Sequence, residues 1–494
     1  MTHELLIRID KRLGTSFTRQ IYEQILQSIT NGCVRAGDPI PSTRLMAEQI
    51  QVSRSVILQA YEQLQAEGYL EMRRGAGTFI AANAAGMDTD IPYHEANIDY
   101  EVIANVPNFK AVENNPLSSH AAILYDFRHG VPAWDAFPMD RWQRSLTEAC
   151  RRATPEMLTY GPAEGSLALR EEIARLVRST RSIPALPEQI VITSGATQAL
   201  DILARLCLKD GEQIIVEDPT HNVLREIFRF SGGEVIPVRV DEEGICVHEI
   251  NQSIAIHSKE ADSPPKLIYV TPSHQFPMGV TMSFNRRIDL LDWARRTGAF
   301  IIEDDYDSEY RYVGPKVSAL AGLDSSSRVI YVGSFSKILF PSLRIGYAIL
   351  PSALIKPFLA IKWITDRMSP TLEQEALADF IQSGQYAKHV SQMSKLYASR
   401  RACLVDALDQ EFGDRVHYFG DEAGLHLLIE LDTTATEELI AKKALQYGTQ
   451  IYPATDYYID SQPSKATFLL GYANLSESQI RTGIKLVARA EQEC

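Results

Sequence analysis

The feature that most constrains the fold is a series of short apolar runs through the middle of the chain, accompanied by amphipathic stretches. Seven runs have the length and composition of buried strands: QIVITSG, EQIIVED, EVIPVRV, KLIYVTPS, AFIIEDDY, RVIYVGSFSK and LRIGYAIL. Helical periods accompany them, as at 167–178 and 286–298. Because this alternation builds a mostly parallel sheet covered by helices, we expect an α/β body with a seven-stranded sheet, and a smaller α/β subdomain at its C-terminus.

The first 82 residues follow a different pattern. Helical periods are predicted at 18–31, 43–49 and 54–67. The stretch YLEMRRGAGTFIA that follows is typical of a β-hairpin with its turn at Gly75–Gly77. Three helices and a hairpin predict a winged helix-turn-helix domain.

The domain boundaries follow from where periodicity fails. Between residues 83 and 120 Asn, Pro, Asp and Ala are frequent and no period holds, so we predict a linker there. A chain of 494 residues also exceeds the roughly 250–300 residues at which single cores stop growing. The predicted organisation is a DNA-binding domain at 1–82, a linker at 83–120 and a body at 121–494.

The net charge of −14 is unevenly distributed. Residues 1–82 hold nine basic and eight acidic side chains, whereas the remainder holds 40 basic and 55 acidic ones. Only the N-terminal domain is therefore suited to approach the phosphates of double-stranded DNA. The sequence has no apolar run long enough for a membrane span, no signal-peptide core and only scattered cysteines, so we expect a cytoplasmic protein with reduced thiols and no membrane contact.

Polar residues fall where a winged helix-turn-helix domain meets DNA, at the starts of its second and third helices and on its wing. The candidate contacts are Ser42, Thr43, Arg44, Ser53, Arg54, Ser55, Arg73, Arg74 and Gly75. A single arginine is more often a solvated surface residue, but four at these positions favour DNA binding. The order GDPIPSTR, VSRS, AYEQL, EGYL and RRGAGTF resembles the GntR family of bacterial regulators.

Residues with the chemistry of a pyridoxal phosphate site stand at the ends of predicted strands. This cofactor needs a lysine amine that forms a Schiff base, donors for its phosphate and a carboxylate for its pyridine nitrogen. Lys337, the lone lysine of GSFSKILFPSLRIGY, is flanked by Ser334 and Arg344, which can both bind a phosphate. The stretch EDDYDSEYR supplies aspartates for the pyridine nitrogen and Tyr306 for the ring hydroxyl.

Two further stretches extend this pattern. TSGATQALDIL predicts a glycine turn before a helix, whose N–H groups at Ala196 and Thr197 form an anion site. His221, in EDPTHNV, is placed to stack on the cofactor ring. Each feature alone has a purely structural explanation, since strand-end aspartates often cap the next element and loop histidines are common. Their order at successive strand ends favours a cofactor site.

This order resembles the fold-type I aminotransferases across residues ~125–494, and with its GntR-like head the whole chain resembles the MocR/GabR-type transcriptional regulators. The resemblance also rests on DFRHGVPAWDAFPMDRW, YGPAEGSLALREEIA and TPSHQFPMGVTM. It implies that Lys337 carries pyridoxal phosphate, and that Asp304 pairs with the pyridine nitrogen, although Asp305 lies within reach of the same strand end. It further implies a homodimer in which Tyr160 reaches the phosphate of the other subunit.

Three positions depart from the aminotransferase pattern. Phe276, in FPMG, stands where these enzymes carry an asparagine that holds the ring hydroxyl, and His221 replaces the more usual Tyr or Trp. Leu469, in TFLLGYANLSE, stands where an arginine forks the substrate carboxylate, a contact that an aliphatic side chain cannot replace. Arg128 is a candidate for that contact from another wall.

These departures weaken the case for an aminotransferase and for an amino-acid effector. The sequence therefore predicts a regulator rather than an enzyme, which holds no metal and senses pyridoxal phosphate itself, or an amine or amino acid that reacts with it. Two alternatives stay open. One is an active aminotransferase with an accessory DNA-binding head, and the other is a regulator whose body dimerises and binds no ligand.

Overall fold

The structure is a computed structural model that describes residues 7–10, 14–30, 33–73, 76–82, 123–258, 264–315 and 317–494. These residues belong to two compact units, which lie within Met1–Ala104 and Asn105–Cys494. The predicted linker at 83–120 lies outside the described residues, so the predicted domain boundaries stay a prediction. In the described ranges, the structure contains no helix with the length and apolar character of a membrane span.

The N-terminal unit is a winged helix-turn-helix, as predicted. Its helices are Phe17–Thr30, Thr43–Ile50 and Arg54–Ala66. Its strands are β1 (Pro39–Ile40), β2 (Leu70–Arg73) and β3 (Gly77–Ile80), of which β2 and β3 form the hairpin and β1 pairs with β3. Ile21 of the first helix, Ile57 and Leu64 of the third and Ile80 of the wing are all completely buried in one core. The helical period of the apolar residues thus positions the wing against the helices.

The body is built on an eight-stranded mixed sheet, in the spatial order β5-β12-β11-β10-β9-β6-β7-β8. The bounds are β5 Ile190–Thr193, β6 Gln213–Asp218, β7 Glu234–Asp241, β8 Gly244–Ile245, β9 Leu267–Val270, β10 Phe300–Asp305, β11 Val329–Ser334 and β12 Gly346–Ile349. All seven predicted strands are present. The sheet has one more strand than predicted, β8, which pairs antiparallel with β7. With only two residues, β8 is too short to show a period in the sequence.

Strands β11, β10, β9, β6 and β7 run parallel, whereas β12 is antiparallel to both of its neighbours, β11 and β5. Residues 335–345 join β11 to β12 and contain only the short turn Pro341–Leu343, so no crossover helix carries the chain back. A short connection returns the strand antiparallel. This connection contains Lys337.

Helices cover both faces of the sheet. They are Met139–Arg152, Leu167–Arg181, Ala196–Cys207, Asn222–Phe230, Ile250–His257, Phe284–Thr297, Leu320–Leu323, Ser352–Thr365, Thr371–Gln382 and Gln385–Phe412. Strand β9 shows why the strands read as continuous apolar runs, since Leu267 and Tyr269 pack into one core and Ile268 and Val270 into the other. Side chains of a strand alternate between two faces, and here both faces are buried.

The C-terminal subdomain is a second, four-stranded sheet in the order β13-β14-β17-β16. Its bounds are β13 Val416–Phe419, β14 His426–Leu431, β16 Tyr452–Pro453 and β17 Ala466–Gly471, with the helices Glu437–Gln446 and Glu477–Gln492.

Separately, β4 (Tyr125–Asp126) pairs in parallel with β15 (Thr449–Gln450). Short 3₁₀ turns lie at Trp134–Ala136, Pro155–Leu158, Pro187–Gln189, Val247–Glu249, Pro341–Leu343, Gly413–Arg415 and Thr455–Tyr457. The β4–β15 pair ties the start of the body to its end.

Candidate functional site

The carboxyl ends of the parallel strands open into a cavity of about 240 Å³. Ligands of open α/β sheets bind at this edge because the ends of parallel strands meet there. Eight of the nine predicted cofactor residues line the cavity, namely Lys337, Asp304, Tyr306, Ser334, Arg344, Ala196, Thr197 and His221. The structure therefore brings together side chains that are up to 148 positions apart in sequence, from Ala196 to Arg344.

Lys337 lies at the centre of this group. Its Nζ donates a hydrogen bond of 2.9 Å to the Gly130 carbonyl oxygen. Burial lowers the pKa of the Lys337 amine, while the carboxylates of Asp307 and Asp304 oppose that shift. A Cβ on Gly130 would lie 2.5 Å from Nζ, so a larger residue there would displace the amine. A lowered pKa favours the neutral amine that can attack an aldehyde.

The two adjacent aspartates at the end of β10 have different surroundings. Asp304 lines the cavity, accepts a hydrogen bond of 2.8 Å from the Tyr269 hydroxyl through Oδ2, and has a buried Oδ1 without a hydrogen-bond partner among the described residues. Burial raises the pKa of Asp304 to about 7. Asp305 is instead bound by the Arg181 guanidinium at 2.8 Å and the Tyr331 hydroxyl at 2.7 Å. Asp304 is thus the carboxylate available to a pyridine nitrogen.

Tyr306 is held by two buried residues that the sequence did not single out. Its hydroxyl donates to the His274 carbonyl oxygen at 2.8 Å and lies 3.1 Å from His274 Nδ1. The same Nδ1 lies 3.0 Å from Asp307 Oδ2. This chain of hydrogen bonds fixes the phenol at the cavity wall, and burial raises its pKa, so Tyr306 is a hydrogen-bond donor at neutral pH.

The start of helix Ala196–Cys207, the predicted anion site, lies at the cavity. Its N-cap, Gly195, has φ 120° and supplies no capping side chain, so the first N–H groups of the helix can donate to an anion. A Cβ on Gly195 would lie 3.0 Å from Arg344 Nη2, which places the guanidinium beside the helix start. The buried Ser336 Oγ also faces the cavity without a partner in the described part of the chain.

His221 lies beside Phe276, with ring centroids 5.1 Å apart and planes tilted by 35°. As the N-cap of helix Asn222–Phe230, it accepts a hydrogen bond of 3.2 Å from the Val223 N–H through Nδ1. Burial lowers the pKa of His221 to about 4. The ring is therefore a neutral, flat surface at neutral pH, as stacking requires.

Behind the cavity, Glu217 holds the turn that carries Phe276. Its Oε2 accepts hydrogen bonds from the Thr271 N–H at 3.1 Å, the Thr271 hydroxyl at 2.7 Å and Gln275 Nε2 at 3.3 Å. The Thr271 hydroxyl in turn accepts from the Phe276 N–H at 3.0 Å. Burial raises the pKa of Glu217 to about 7. Through Thr271, Glu217 thus fixes the backbone at Phe276, the position at which the aminotransferase pattern has an asparagine.

Leu469 and Arg128, the two residues considered for binding a substrate carboxylate, supply no free guanidinium to the cavity. Leu469 on β17 is completely buried in a cluster with Phe276. Arg128 is bound by the Asp126 carboxylate at 3.1 Å and the Tyr452 hydroxyl at 3.2 Å, and it does not line the cavity. Its charge is therefore already paired.

Tyr160 is the ninth predicted cofactor residue. It is 72% exposed and does not line the cavity of its own chain. Its ring instead lies under the Arg367 guanidinium, 5.1 Å from the ring centroid. The predicted contact with the phosphate of another subunit stays a prediction.

Several residues that line the cavity were not predicted to contact the cofactor, although most of them lie within the quoted motifs. They include His129, Tyr269, Thr271, Phe276, Asp307, Ser336 and His426. A signal existed for Tyr269, since β9 alternates and ends beside Asp304 on the neighbouring strand. No signal placed His129 and His426 together, because they meet only through the packing of the C-terminal subdomain on the chain after β4.

In the head, the predicted DNA contacts occupy the two helix starts and the wing. Ser42 caps the second helix by accepting from the Leu45 N–H at 3.2 Å. Ser53 stands at the N-cap of the third helix, but its hydroxyl lies 2.9 Å from Ser55 Oγ and caps no N–H group. Arg54 Nε donates to the Thr43 hydroxyl at 3.2 Å. The two helix starts are therefore linked through the side chains expected to meet DNA.

The other predicted arginines carry acidic partners. Arg44 pairs with Glu48 at 3.4 Å, and Arg73 pairs with Glu71 while its guanidinium lies 4.6 Å from the Phe79 ring centroid. The pairs are exposed, so a phosphate can displace the carboxylates at little cost. Arg74 and Gly75 lie outside the described residues.

The comparisons with known proteins match both parts of the chain. The family model for bacterial regulatory proteins of the gntR family matches residues 17–80, and that for aminotransferase class I and II matches residues 127–486. The crystal structure of the multiple substrate aminotransferase from Thermococcus profundus superimposes with a TM-score of 0.72 at 26% identity, over 80% of this chain and 99% of that one.

Curated relatives share the whole arrangement. The uncharacterized HTH-type transcriptional regulator YdeL of Bacillus subtilis (strain 168) is 35% identical over 98% of this chain and 98% of its own length. The probable rhizopine catabolism regulatory protein MocR of Rhizobium meliloti is 32% identical over 98% of this chain and 96% of its own. The chain therefore belongs to the MocR-type transcriptional regulators, which join a GntR-family DNA-binding head to an aminotransferase-like body.

Proposed function

We propose that the body binds pyridoxal phosphate covalently through Lys337 and that the state of this site controls how the head binds operator DNA. The observation that carries the proposal is the convergence of eight predicted residues on one cavity around a lysine whose pKa is lowered by burial. Pyridoxal phosphate supplies an aldehyde that condenses with amines and a pyridine ring that withdraws electrons. A basic head on an acidic, ligand-binding body suits a ligand-responsive regulator.

The residues of the cavity fit the parts of this cofactor. The partnerless Oδ1 of Asp304 can accept a hydrogen bond from the pyridine nitrogen, and a positive ring would stabilise the charged form of that carboxylate. The uncapped start of helix Ala196–Cys207, Arg344 and Ser334 can bind the phosphate. The Tyr306 hydroxyl, which donates to the His274 carbonyl oxygen, can accept a hydrogen bond from the ring hydroxyl, and His221 can stack on the ring. Asp304 Oδ1 in particular is a buried polar atom that has no partner among the described residues, so its assignment uses an atom that the fold leaves unpaired.

The same wall supports a regulator rather than a transaminase. Among the described residues of the chain, neither the buried Leu469 nor the paired Arg128 offers a guanidinium to hold the carboxylate of an amino-acid substrate in one orientation. The similarity to the multiple substrate aminotransferase favours the second candidate, an aminotransferase with a DNA-binding head. Turnover of an amino acid and a keto acid by the purified protein would establish that second candidate.

The proposed partners are double-stranded operator DNA, a small-molecule effector and a second copy of this chain. The effector is the cofactor itself, or an amine or amino acid that reacts with it. A homodimer suits the exposed Tyr160, which we propose reaches the phosphate bound by the other subunit. No metal is required by this proposal.

The test compares the wild-type protein with Lys337→Ala and with Lys356→Ala, a control lysine on the exposed surface of helix Ser352–Thr365. After hydride trapping, peptide mass analysis should find the cofactor on Lys337 in the wild type and in the control. Lys337→Ala should lose the visible absorption band and the cofactor-dependent change in the operator footprint, because no other amine replaces it. An adduct on a different lysine, or a footprint that ignores the cofactor, would contradict the proposal.

A further inference from the structure

Aromatic rings form a continuous part of the cavity wall. The Phe276 ring centroid lies 5.1 to 6.3 Å from the centroids of His129, His221, His426 and Tyr306. All five side chains line the cavity. Since the proposed function assigns His221 and Tyr306 to the cofactor, a second ligand that shares the cavity would contact the rings of Phe276, His129 and His426.

The histidines of this wall carry no positive charge at neutral pH. Burial lowers the pKa of His129 to about 3, that of His221 to about 4, and that of His426 well below its ordinary value. His129 Nδ1 and His426 Nε2 are buried and have no hydrogen-bond partner among the residues that the structure describes. A neutral polar group of a ligand can satisfy these two nitrogens, whereas a carboxylate would find no charge there.

The basic side chains of the wall are already assigned. Besides the histidines, the described residues that line the cavity include the bases Lys337 and Arg344. Lys337 carries the cofactor in the proposed function, and Arg344 lies beside the anion site at Gly195. Arg128 is bound by Asp126 away from the cavity. A ligand carboxylate would lose its hydration here without gaining a free guanidinium from the described residues of this chain.

We propose that the effector of this regulator is an amine that carries an aromatic or heteroaromatic ring and no carboxylate. The inference rests on the proposed function, since the effector shares the cavity with the cofactor. Its ring would pack on Phe276 in the tilted or edge-on arrangements that aromatic pairs prefer. A polar atom of a heteroaromatic ring would bind His129 Nδ1 or His426 Nε2.

Four probes separate the ring from the carboxylate. They are 2-phenylethylamine, L-phenylalanine, 3-methylbutylamine and L-leucine. This set compares amines with and without an aromatic ring, and with and without a carboxylate. Each is titrated into the full-length protein loaded with cofactor, and binding is measured by calorimetry and by the change in the visible absorption band. We expect 2-phenylethylamine to bind at least about tenfold more tightly than L-phenylalanine, because a buried charge without a partner is costly. It should also bind more tightly than 3-methylbutylamine.

Phe276→Leu tests the ring wall directly. In variant protein that carries the cofactor band, most of the preference for 2-phenylethylamine over 3-methylbutylamine should be lost. The matched control is Phe419→Leu, because Phe419 packs against the same apolar cluster but does not line the cavity. This control should leave the preference unchanged.

The outcomes separate this inference from the proposed function. L-phenylalanine binding as tightly as 2-phenylethylamine would overturn the inference, as would equal losses for both amines in Phe276→Leu. A cofactor band that none of the four probes changes would also overturn it, while leaving the cofactor assignment intact. Absence of the band in the loaded wild-type protein would instead overturn the proposed function and this inference with it.

Discussion

Burial of the Glu217 carboxyl group makes the free energy of unfolding of the body depend on pH. The pKa of this group is raised from the ordinary 4.5 to about 7, chiefly by burial. Because the pKa is higher in the folded chain than in the unfolded chain, folding takes up a proton between these values. The free energy of unfolding therefore falls as the pH rises from about 4.5 through about 7.

Glu217→Gln should remove this fall in the free energy of unfolding with rising pH. The glutamine oxygen can still accept from Thr271 and Gln275, and its NH₂ group would replace the partnerless Oε1. We expect the cofactor-free variant to exceed the wild type in stability at pH 8 by up to roughly 3 kcal/mol, and to match it at pH 4. Thermal unfolding at the two pH values measures this.

The control for that experiment is Glu242→Gln, on the exposed surface, which should behave as the wild type does. If Glu217→Gln loses as much stability as the wild type between the two pH values, the dependence belongs to another group. Asp304 would be the candidate, because burial raises its pKa to about 7 as well.

At the scale of elements, the start of helix Ala196–Cys207 carries the clearest prediction. Gly195→Ala would place a Cβ 3.0 Å from Arg344 Nη2, at a φ of 120° that alanine rarely adopts. We expect cofactor affinity to fall by about tenfold, since the anion site is distorted. Titration of the cofactor absorption band measures the loss.

Gly298→Ala is the matched control for backbone strain. Gly298 has φ 81° at the end of helix Phe284–Thr297, and a Cβ there would meet nothing within 4 Å. This variant should lose about 1 kcal/mol of stability and keep its cofactor affinity. Equal losses of affinity in the two variants would show that strain, rather than crowding of the anion site, is the cause.

The third helix of the head, Arg54–Ala66, is the element expected to enter the major groove. If Arg54 reads a base edge, Arg54→Ala should weaken operator binding by about 1–3 kcal/mol and leave binding to unrelated DNA nearly unchanged. Fluorescence anisotropy with both DNAs at several salt concentrations measures this. A similar loss on every sequence would assign Arg54 to a phosphate instead.

At the scale of the whole molecule, the expectation is a homodimer that shares its cofactor sites. Tyr160 is 72% exposed and Trp363 is 46% exposed, and the Arg367 guanidinium lies over both rings. Tyr160→Phe keeps the ring and removes the hydroxyl, so the variant should sediment as a dimer and bind the cofactor several-fold more weakly. A wild-type protein that sediments as a monomer with full cofactor affinity would contradict this expectation.

The sequence alone determined the two-part organisation, the winged head, seven of the eight strands of the large sheet and much of the cavity wall. It could do so because strand and helix periods are local, and because chemically distinctive residues stand directly after strands that must end at one edge. The match of eight predicted residues to one cavity follows from that topology. The strand β8 was not predicted, because two residues are too few to show a period.

Only the tertiary structure decided what depends on contacts between distant segments. It separated Asp304, with its free oxygen in the cavity, from Asp305, which Arg181 and Tyr331 hold elsewhere. It also brought His129 and His426 beside Phe276, because the C-terminal subdomain packs against the residues that follow β4. Contacts between side chains that are hundreds of residues apart arise from tertiary packing, and no local pattern encodes them.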